Sequence, residues 1–367
     1  MFVPHRVVAR LPASMQLGII GGLVRANVAT RFGLFKMFVR TLVAVGADPA
    51  ELERALRRCR DVGPSFVSVF RELAETVATP SDRDATPEEL FRATLYGLLA
   101  DWATFDLEGR RANYALAIPY FERFARAHDP PIERVRIPFR RTGISGYFVA
   151  PEGARAAVLL VPGNDEPKEW MATMAAAATA RRLAAIAIDL PGYGENALCG
   201  VRLDGNASLR ESASGVLTFL SDRGIHRAGV FGVSSGGLVA HLVAGLVPAF
   251  TASVGLGGPY DLAWAFDHVP CLQRRRFLMA TGLREARTVR AFVRALDVEG
   301  VLRSVSGPAL VFHGTDDEVV PFSHARAIVD AIGPRAELHA IEGGDHMGNP
   351  HLKRVTEVGM DWLAARL

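Results

Sequence analysis

The sequence predicts an α/β protein: a mostly parallel sheet covered by helices, preceded by a long all-helical region. Three observations carry that prediction. From the start to about His128, apolar residues recur at helical spacing with almost no strand-like alternation. From Ala156 onward, short β-type runs alternate with helical stretches, which calls for parallel strands covered on both faces. One of those runs, within Ala228–Gly237, ends in Gly232-Val-Ser234-Ser-Gly236, a serine with glycine two positions before and after it. A serine at the tip of a sharp strand-to-helix turn needs those glycines, because a Cβ at either position would collide within the turn. Ser235 lacks the preceding glycine, so its expected contribution is a backbone N–H.

In chain order, the first marked feature is the apolar stretch Leu17-Gly-Ile-Ile-Gly-Gly-Leu-Val24. It stops at Arg25, short of the roughly 20 residues a membrane span needs. Arg6 and Arg10 precede it as in a signal peptide, yet no small-residue cleavage site follows. The stretch is therefore expected to be a helix that lines a pocket or an oligomer contact. Further helices are expected over Leu34–Val45, Ser65–Ala78 and Glu108–Ala127, the last kinked at Pro119. Asp48-Pro49-Ala50-Glu51 and Thr86-Pro87-Glu88-Glu89 each combine a capping residue, a proline at the first helical position and a glutamate at the third.

Asp129-Pro130-Pro131 closes the helical region, since a residue before proline is pushed out of the helical basin. A first domain is thus expected over 1–130 and a second over 131–367. Ile132–Phe139 and Ile144–Ala150 read as a hairpin joined by Arg140–Gly143. Strands then follow at Ala157–Val161, Ala184–Leu190, the run before Ser234, Phe250–Gly257, Pro308–Gly314 and Glu337–Ile341. Helices are expected from Pro167, over Ala207–Arg223 and after Ser234. The helical run Leu262–Leu302 is long for a crossover and suggests a second piece of lid.

With 49% apolar and 22% charged residues, the 367-residue chain reads as an ordinary globular protein with a large core. Cys59, Cys199 and Cys271 are far apart and show neither a disulfide framework nor a metal-ligand spacing, which fits the cytoplasm. The net charge of +3 is small, and no basic cluster is interleaved with aromatics, so no nucleic-acid partner is expected. Arg274-Arg275-Arg276 reads as a solvated helix face. No cofactor is expected, because the sequence carries no complete dinucleotide fingerprint and no metal cluster. The expected partners are a small-molecule substrate and a second copy of the chain, with no membrane.

The chemistry follows from order. Ser234 is followed by Asp317, just past the strand ending in His313-Gly314, and by His346, just past the strand ending at Ile341. A weak serine nucleophile needs a base within hydrogen-bond reach, and the base needs an acid to orient it. His346 is the candidate base; His313, His241, His351 and His324 read as structural, the last two as surface positions. Asp317 fits the H-G-x-x-D spacing from His313, with Asp316 as the alternative. Asp261 is a further acid, read as pocket lining or helix capping. Two backbone donors for an oxyanion are expected from Ser235 and from the Val161-Pro162-Gly163-Asn164-Asp165 loop, at Asn164 or one residue later at Asp165. Tyr260, Asp261 and Lys168 are candidate pocket residues, and the helical-region aromatics Phe66, Phe70, Tyr96, Trp102, Tyr114 and Tyr120 read either as pocket walls or as core.

These features together resemble the α/β-hydrolases, and more narrowly the group of 2,6-dihydroxypseudooxynicotine hydrolase, the fermentation-respiration-switch-like esterases and the fungal heptaketide-shortening hydrolases. The likeness rests on Pro162-Gly163 through Lys168-Glu169, Asp189-Leu-Pro-Gly-Tyr-Gly194, the Ser234 turn and Gly257-Gly258-Pro259-Tyr260. It covers roughly the last two-thirds of the chain; the helical third matches in layout alone. The resemblance implies an α/β-hydrolase core with a helical cap and a pocket for a medium-sized hydrophobic substrate. Hydrolysis of an ester or of a ketone-adjacent carbon–carbon bond, with a polyketide-derived substrate among the options, is the leading expectation. The alternatives are a lyase that eliminates acetate from an acetylated tetronate or polyketide intermediate in secondary metabolism, and a binding protein without catalysis.

Overall fold

The computed structural model describes residues 15, 16, 33–81 and 83–367. The apolar stretch Leu17–Val24, with the pocket or oligomer role expected of it, lies outside the described residues. The rest divides into two compact units: the helices up to Ile132 together with His268–Arg275, and Glu133–Asp267 together with Arg276–Leu367.

The first unit holds α1 (Gly33–Ala44), α2 (Pro49–Arg58), α3 (Pro64–Ala78), α4 (Pro87–Trp102) and α5 (Leu107–Ala127). The two proline-marked starts form as their residues dictate. Asp48 accepts the Glu51 N–H at 2.8 Å, and Thr86 and Glu89 close a reciprocal capping box. Helix α5 continues through Pro119 as one helix of 21 residues. Phe66, Phe70, Tyr96, Trp102 and Tyr114 are buried inside this unit, so they are core. The Phe66 and Phe70 rings lie 4.5 Å apart, and Tyr96 donates its hydroxyl proton to Glu51 at 2.7 Å.

The second unit is built on β1 (Glu133–Ile137), β2 (Ile144–Val149), β3 (Ala156–Val161), β4 (Ala184–Ile188), β5 (Arg227–Val233), β6 (Phe250–Leu256), β7 (Ala309–Gly314) and β8 (Ala336–Ile341). These form an eight-stranded sheet of order β1-β2-β4-β3-β5-β6-β7-β8. β1 and β2 pair antiparallel, as do β2 and β4, and the remaining neighbours are parallel. Every residue of β3, β4 and β7 is buried, which is why β3 and β4 read as unbroken apolar runs and β7 as one up to His313.

Between the strands lie α6 (Ala172–Thr179), α7 (Gly194–Leu198), α8 (Asn206–Ser221) and α9 (Ser235–Leu246). The helical run after β6 is four separate helices, α10 (Leu262–His268), α11 (Cys271–Thr281), α12 (Ala286–Arg294) and α13 (Val298–Arg303). Of that run, only His268–Arg275 belongs to the unit of the N-terminal helices. The chain finishes with α14 (Ser323–Ile332) between β7 and β8 and α15 (Leu352–Ala364) after β8. The expected helix at Pro167 begins as a 3₁₀ turn over Lys168–Met171 before α6 takes over. Among the described residues no helix is long and apolar enough to cross a membrane.

Register decides where function can sit. Val161 of β3 pairs with Gly232 of β5, and Val233 pairs with Leu256 of β6. The carboxyl ends of the central strands are therefore level, and the loops that leave them meet along one edge.

Candidate active site

The turn after β5 is as tight as its glycines imply. A Cβ on Gly232 would lie 1.9 Å from the Gly236 carbonyl oxygen, and one on Gly236 would lie 2.4 Å from the carbonyl oxygens of Val161 and Pro162. Ser234 is held at φ 53°, a left-handed conformation that a residue with a side chain adopts at a cost. Its N–H donates to the Leu256 carbonyl at 2.7 Å, which fixes the turn against β6. Ser235 is the first residue of α9, so its N–H has no carbonyl of the helix ahead of it to bond.

Ser234 Oγ lies 2.8 Å from His346 Nε2, and His346 Nδ1 lies 2.8 Å from Asp317 Oδ2. His346 reaches this position on the loop after β8. Gly257 makes room for it, since a Cβ there would meet the His346 carbonyl oxygen at 2.6 Å and its ring at 3.4 Å. Asp345 shapes the same loop by accepting the N–H groups of Met347 and Asn349, each at 3.0 Å. Asp317 sits in the turn after β7, and its Oδ1 accepts the N–H groups of Val319 and Val320 at 2.8 and 2.7 Å. His313 Nε2 lies 3.0 Å from the Oδ2 that meets His346. Asp316, the alternative acid, is exposed.

Electrostatics follow from this enclosure. Burial works to raise the Asp317 pKa, but His346 and the hydrogen bonds from His313 and His346 outweigh it, so the carboxyl stays well below the usual carboxylate range. Burial works to lower His346, and the carboxylates of Asp317, Glu166 and Asp345 outweigh that and raise it. With Nδ1–H donated to Asp317, the Nε2 lone pair faces the Ser234 hydroxyl, the arrangement a general base requires.

The loop after β3 flanks the serine. A Cβ on Gly163 would lie 2.9 Å from Ser234 Cβ and 2.9 Å from Glu166 Oε2, so this peptide is wedged between the two side chains. Glu166 Oε2 accepts the Gly163 N–H at 3.0 Å. Glu166, an acid two residues beyond the expected donor Asn164, carries no motif that singles it out in the sequence. Its half-enclosed carboxyl is pushed up to about 7, chiefly by burial and then by Asp165, against the Gly163 hydrogen bond and His346.

Lys168, a candidate pocket residue by sequence, is instead committed to a buried ion cluster. Its side chain is wholly buried, and Nζ donates to Glu169 at 2.8 Å, Asp189 at 2.9 Å and Glu195 at 3.0 Å. Asp189 also accepts the backbone N–H groups of Lys168 and Glu195. Gly194 lies so close that a Cβ there would be 2.1 Å from the Asp189 carboxyl carbon. The Lys168-Glu169 and Asp189–Gly194 motifs are thus two halves of one buried ion cluster, which ties the loop after β3 to the loop after β4. Lys168→Met is expected to destabilise the fold by about 3–5 kcal/mol, because it leaves buried carboxylates without their counter-ion. A urea titration that finds an unchanged midpoint would rule that role out.

The other candidates settle as follows. Asp261 is exposed and accepts the Trp264 N–H at 2.9 Å, so it caps α10, and burial together with the nearby Glu299 carboxylate raises the pKa of Tyr260. His351 is exposed, as expected, but His324 is buried, accepting the Asp261 N–H at 3.3 Å. His241 is buried in α9 against Ser253 at 2.9 Å, and burial depresses its pKa to about 4. The basic triplet is not a uniformly solvated face: Arg276 is 10% exposed and lies 3.7 Å from Asp165, while Arg275 stacks over Phe105. Among the described residues no cluster of His, Cys, Asp and Glu has the geometry of a metal site.

Beside the Ser234 turn lies an apolar cavity of about 50 Å³. Gly163 and Ser235 form part of its wall, with Tyr193, Leu209, Leu238 and Phe277 among the others.

A strand-to-helix turn that presents a serine to a histidine–aspartate pair, at the carboxyl edge of this sheet, defines a class. The chain belongs to the alpha/beta hydrolase family, whose model matches residues 158–358. It is 30% identical over 231 residues to the dihydrolipoyllysine-residue acetyltransferase component of an acetoin cleaving system from Pseudomonas putida, over 53% of this chain and 60% of that one. The chain therefore spans less than two thirds of that relative's length. Among solved structures it is similar to 2,6-dihydroxy-pseudo-oxynicotine hydrolase, with a TM-score of 0.75 and 25% identity over 89% of this chain and 94% of the other. It also shares its fold with wild-type AbyA5, at a TM-score of 0.72 and 21% identity over 86% and 94% of the two chains.

Proposed function

We propose that the protein is a serine-nucleophile hydrolase that cleaves an acyl bond, either an ester or the carbon–carbon bond beside a ketone, in a hydrophobic small molecule. One observation carries the reading: the continuous relay from Ser234 through His346 to Asp317, with both hydrogen bonds at 2.8 Å. Ser234 Oγ attacks the carbonyl carbon while its proton passes to His346 Nε2, and Asp317 stabilises the imidazolium. The N–H groups of Ser235 and Asn164 receive the oxyanion. Collapse breaks the bond to the leaving group, which takes the proton from His346, and water then releases the acyl group by the same steps.

The apolar cavity beside Ser235 and Gly163, walled by Leu190, Leu203, Leu238 and Phe277 among others, supports a hydrophobic acyl group. The two named relatives, a hydrolase and an acetyltransferase component, are consistent with acyl chemistry on this scaffold.

A fluorophosphonate probe followed by mass spectrometry tests the nucleophile: a single adduct is expected, on Ser234. Labelled water tests the reaction. Acetate released by acyl transfer from an acetylated β-acyloxy ketone carries ¹⁸O, whereas acetate lost by elimination does not. Unlabelled acetate accompanied by a new alkene would replace hydrolysis with lyase chemistry, and no adduct on a folded protein would remove the serine-nucleophile reading and bring elimination or simple binding forward.

A further inference from the structure

We infer that Glu166 is a positioning residue of this site, whose carboxyl holds the loop after β3 in place and whose charge acts on the base His346. The inference rests on the proposed acyl-transfer chemistry and goes beyond it. The geometry gives Glu166 two roles at once. Oε2 accepts the Gly163 N–H at 3.0 Å, and the Glu166 N–H returns toward the Gly163 carbonyl at 3.4 Å, so the four residues from Gly163 to Glu166 close into a compact turn. The next peptide N–H along that turn belongs to Asn164, the donor assigned to the oxyanion. Fixing Gly163 therefore fixes the direction in which the Asn164 N–H points.

The second role is electrostatic. Gly163 has no side chain, and the space a Cβ would fill there touches both Glu166 Oε2 and Ser234 Cβ. Only a glycine's breadth separates the carboxyl from the nucleophile. Glu166 is one of the groups that raise His346, and His346 in turn holds Glu166 down. The charged and titratable groups around the pair are few. Asp317 and Asp345 act on His346 from the loops after β7 and β8. Asp165 acts on Glu166 from its own loop, and Arg276 of α11 lies 3.7 Å from Asp165, with Tyr193 near both. Removing the Glu166 charge should therefore lower the His346 pKa and move the acid limb of activity to lower pH.

The test separates the loop-holding role from the charge, and both from simple packing. The rate constant of Ser234 phosphonylation by the fluorophosphonate probe is measured against pH for the full-length wild type, Glu166→Gln and Glu166→Ala. In Glu166→Gln the amide oxygen still accepts the Gly163 N–H but the charge is gone. The limiting rate should then fall less than about tenfold, and the acid limb should move down by roughly one pH unit. In Glu166→Ala the turn loses its internal acceptor, and the limiting rate should fall by about 10²-fold with the same displacement of the limb. An acid limb that stays in place in Glu166→Gln overturns the inference while leaving the proposed function intact. So do equal losses in the two variants, which would mark packing alone. Absence of Ser234 labelling in the wild type overturns the proposed function instead.

Discussion

Ser234→Ala is expected to lower kcat by about 10⁶-fold while the protein keeps its fold and its thermal midpoint. The size follows from how the relay is assembled. His346 and Asp317 have no nucleophile to serve once Oγ is gone, so the whole covalent route is lost together. What survives is the background that oxyanion donors and binding provide without a nucleophile. The fold should tolerate the change, because Ser234 Oγ is bonded to His346 and is not part of the backbone lattice that fixes the turn. Alanine retains the Cβ that Gly163 already accommodates. Hydrolysis of p-nitrophenyl butyrate by wild type and variant, with circular dichroism of both, measures this. A variant within tenfold of wild type would mean that the chemistry does not pass through Ser234.

Asp317→Asn is expected to cost on the order of 10⁴-fold in kcat, and the reason is the tautomer of His346. Asp317 accepts four hydrogen bonds, two on Oδ1 from the Val319 and Val320 N–H groups and two on Oδ2 from His346 and His313. An asparagine must turn its NH₂ group toward one of these pairs. The backbone N–H donors cannot move, so the amide nitrogen is driven to the histidine side, where it donates to His346 Nδ1. The proton of a neutral His346 then sits on Nε2, facing Ser234, where it cannot accept the hydroxyl proton. Loss of the carboxylate also removes the largest influence that raises the His346 pKa, so the acid limb should move to lower pH even as the rate collapses. Asp316→Asn is the matched control, since that side chain is exposed, and should stay within about threefold of wild type. Equal losses in the two variants would show that the 315–320 turn, and not the Asp317 carboxylate, is what matters.

Much of this site is legible in the sequence because its chemistry depends on local geometry. Gly232 and Gly236 announce the turn, since a side chain on Gly232 would overlap the carbonyl oxygen four residues on and one on Gly236 would overlap those at the end of β3. The helix starts at Asp48 and Thr86 are equally local, each completed within three residues. Strands β3 and β4 are readable because burial on both faces leaves no polar positions. Other features needed the fold. Lys168 looked like a pocket residue because a lysine in a loop is ordinarily solvated; its three carboxylate partners come from one adjacent residue and from positions 21 and 27 residues away. His324 looked exposed because nothing near it in sequence announces the burial it shares with the Asp261 N–H and the Trp264 ring.

Glu166 marks the boundary between the two kinds of information. Its neighbours in sequence explain the bond to Gly163, which closes over three residues. They say nothing of Ser234 or His346, which arrive 68 and 180 residues later through the parallel pairing of β3 with β5 and the crossovers to β8. The sequence by itself therefore determined the turn that presents Ser234 and the chain order of Ser234, Asp317 and His346, each just past the end of a strand, because steric exclusion and strand periodicity act over a few residues. The tertiary structure decided between Asp317 and its alternative Asp316 as the partner of His346, and it alone decided which charges are buried together and which acid lies beside the loop after β3, because Coulomb interactions and desolvation depend on distance in space.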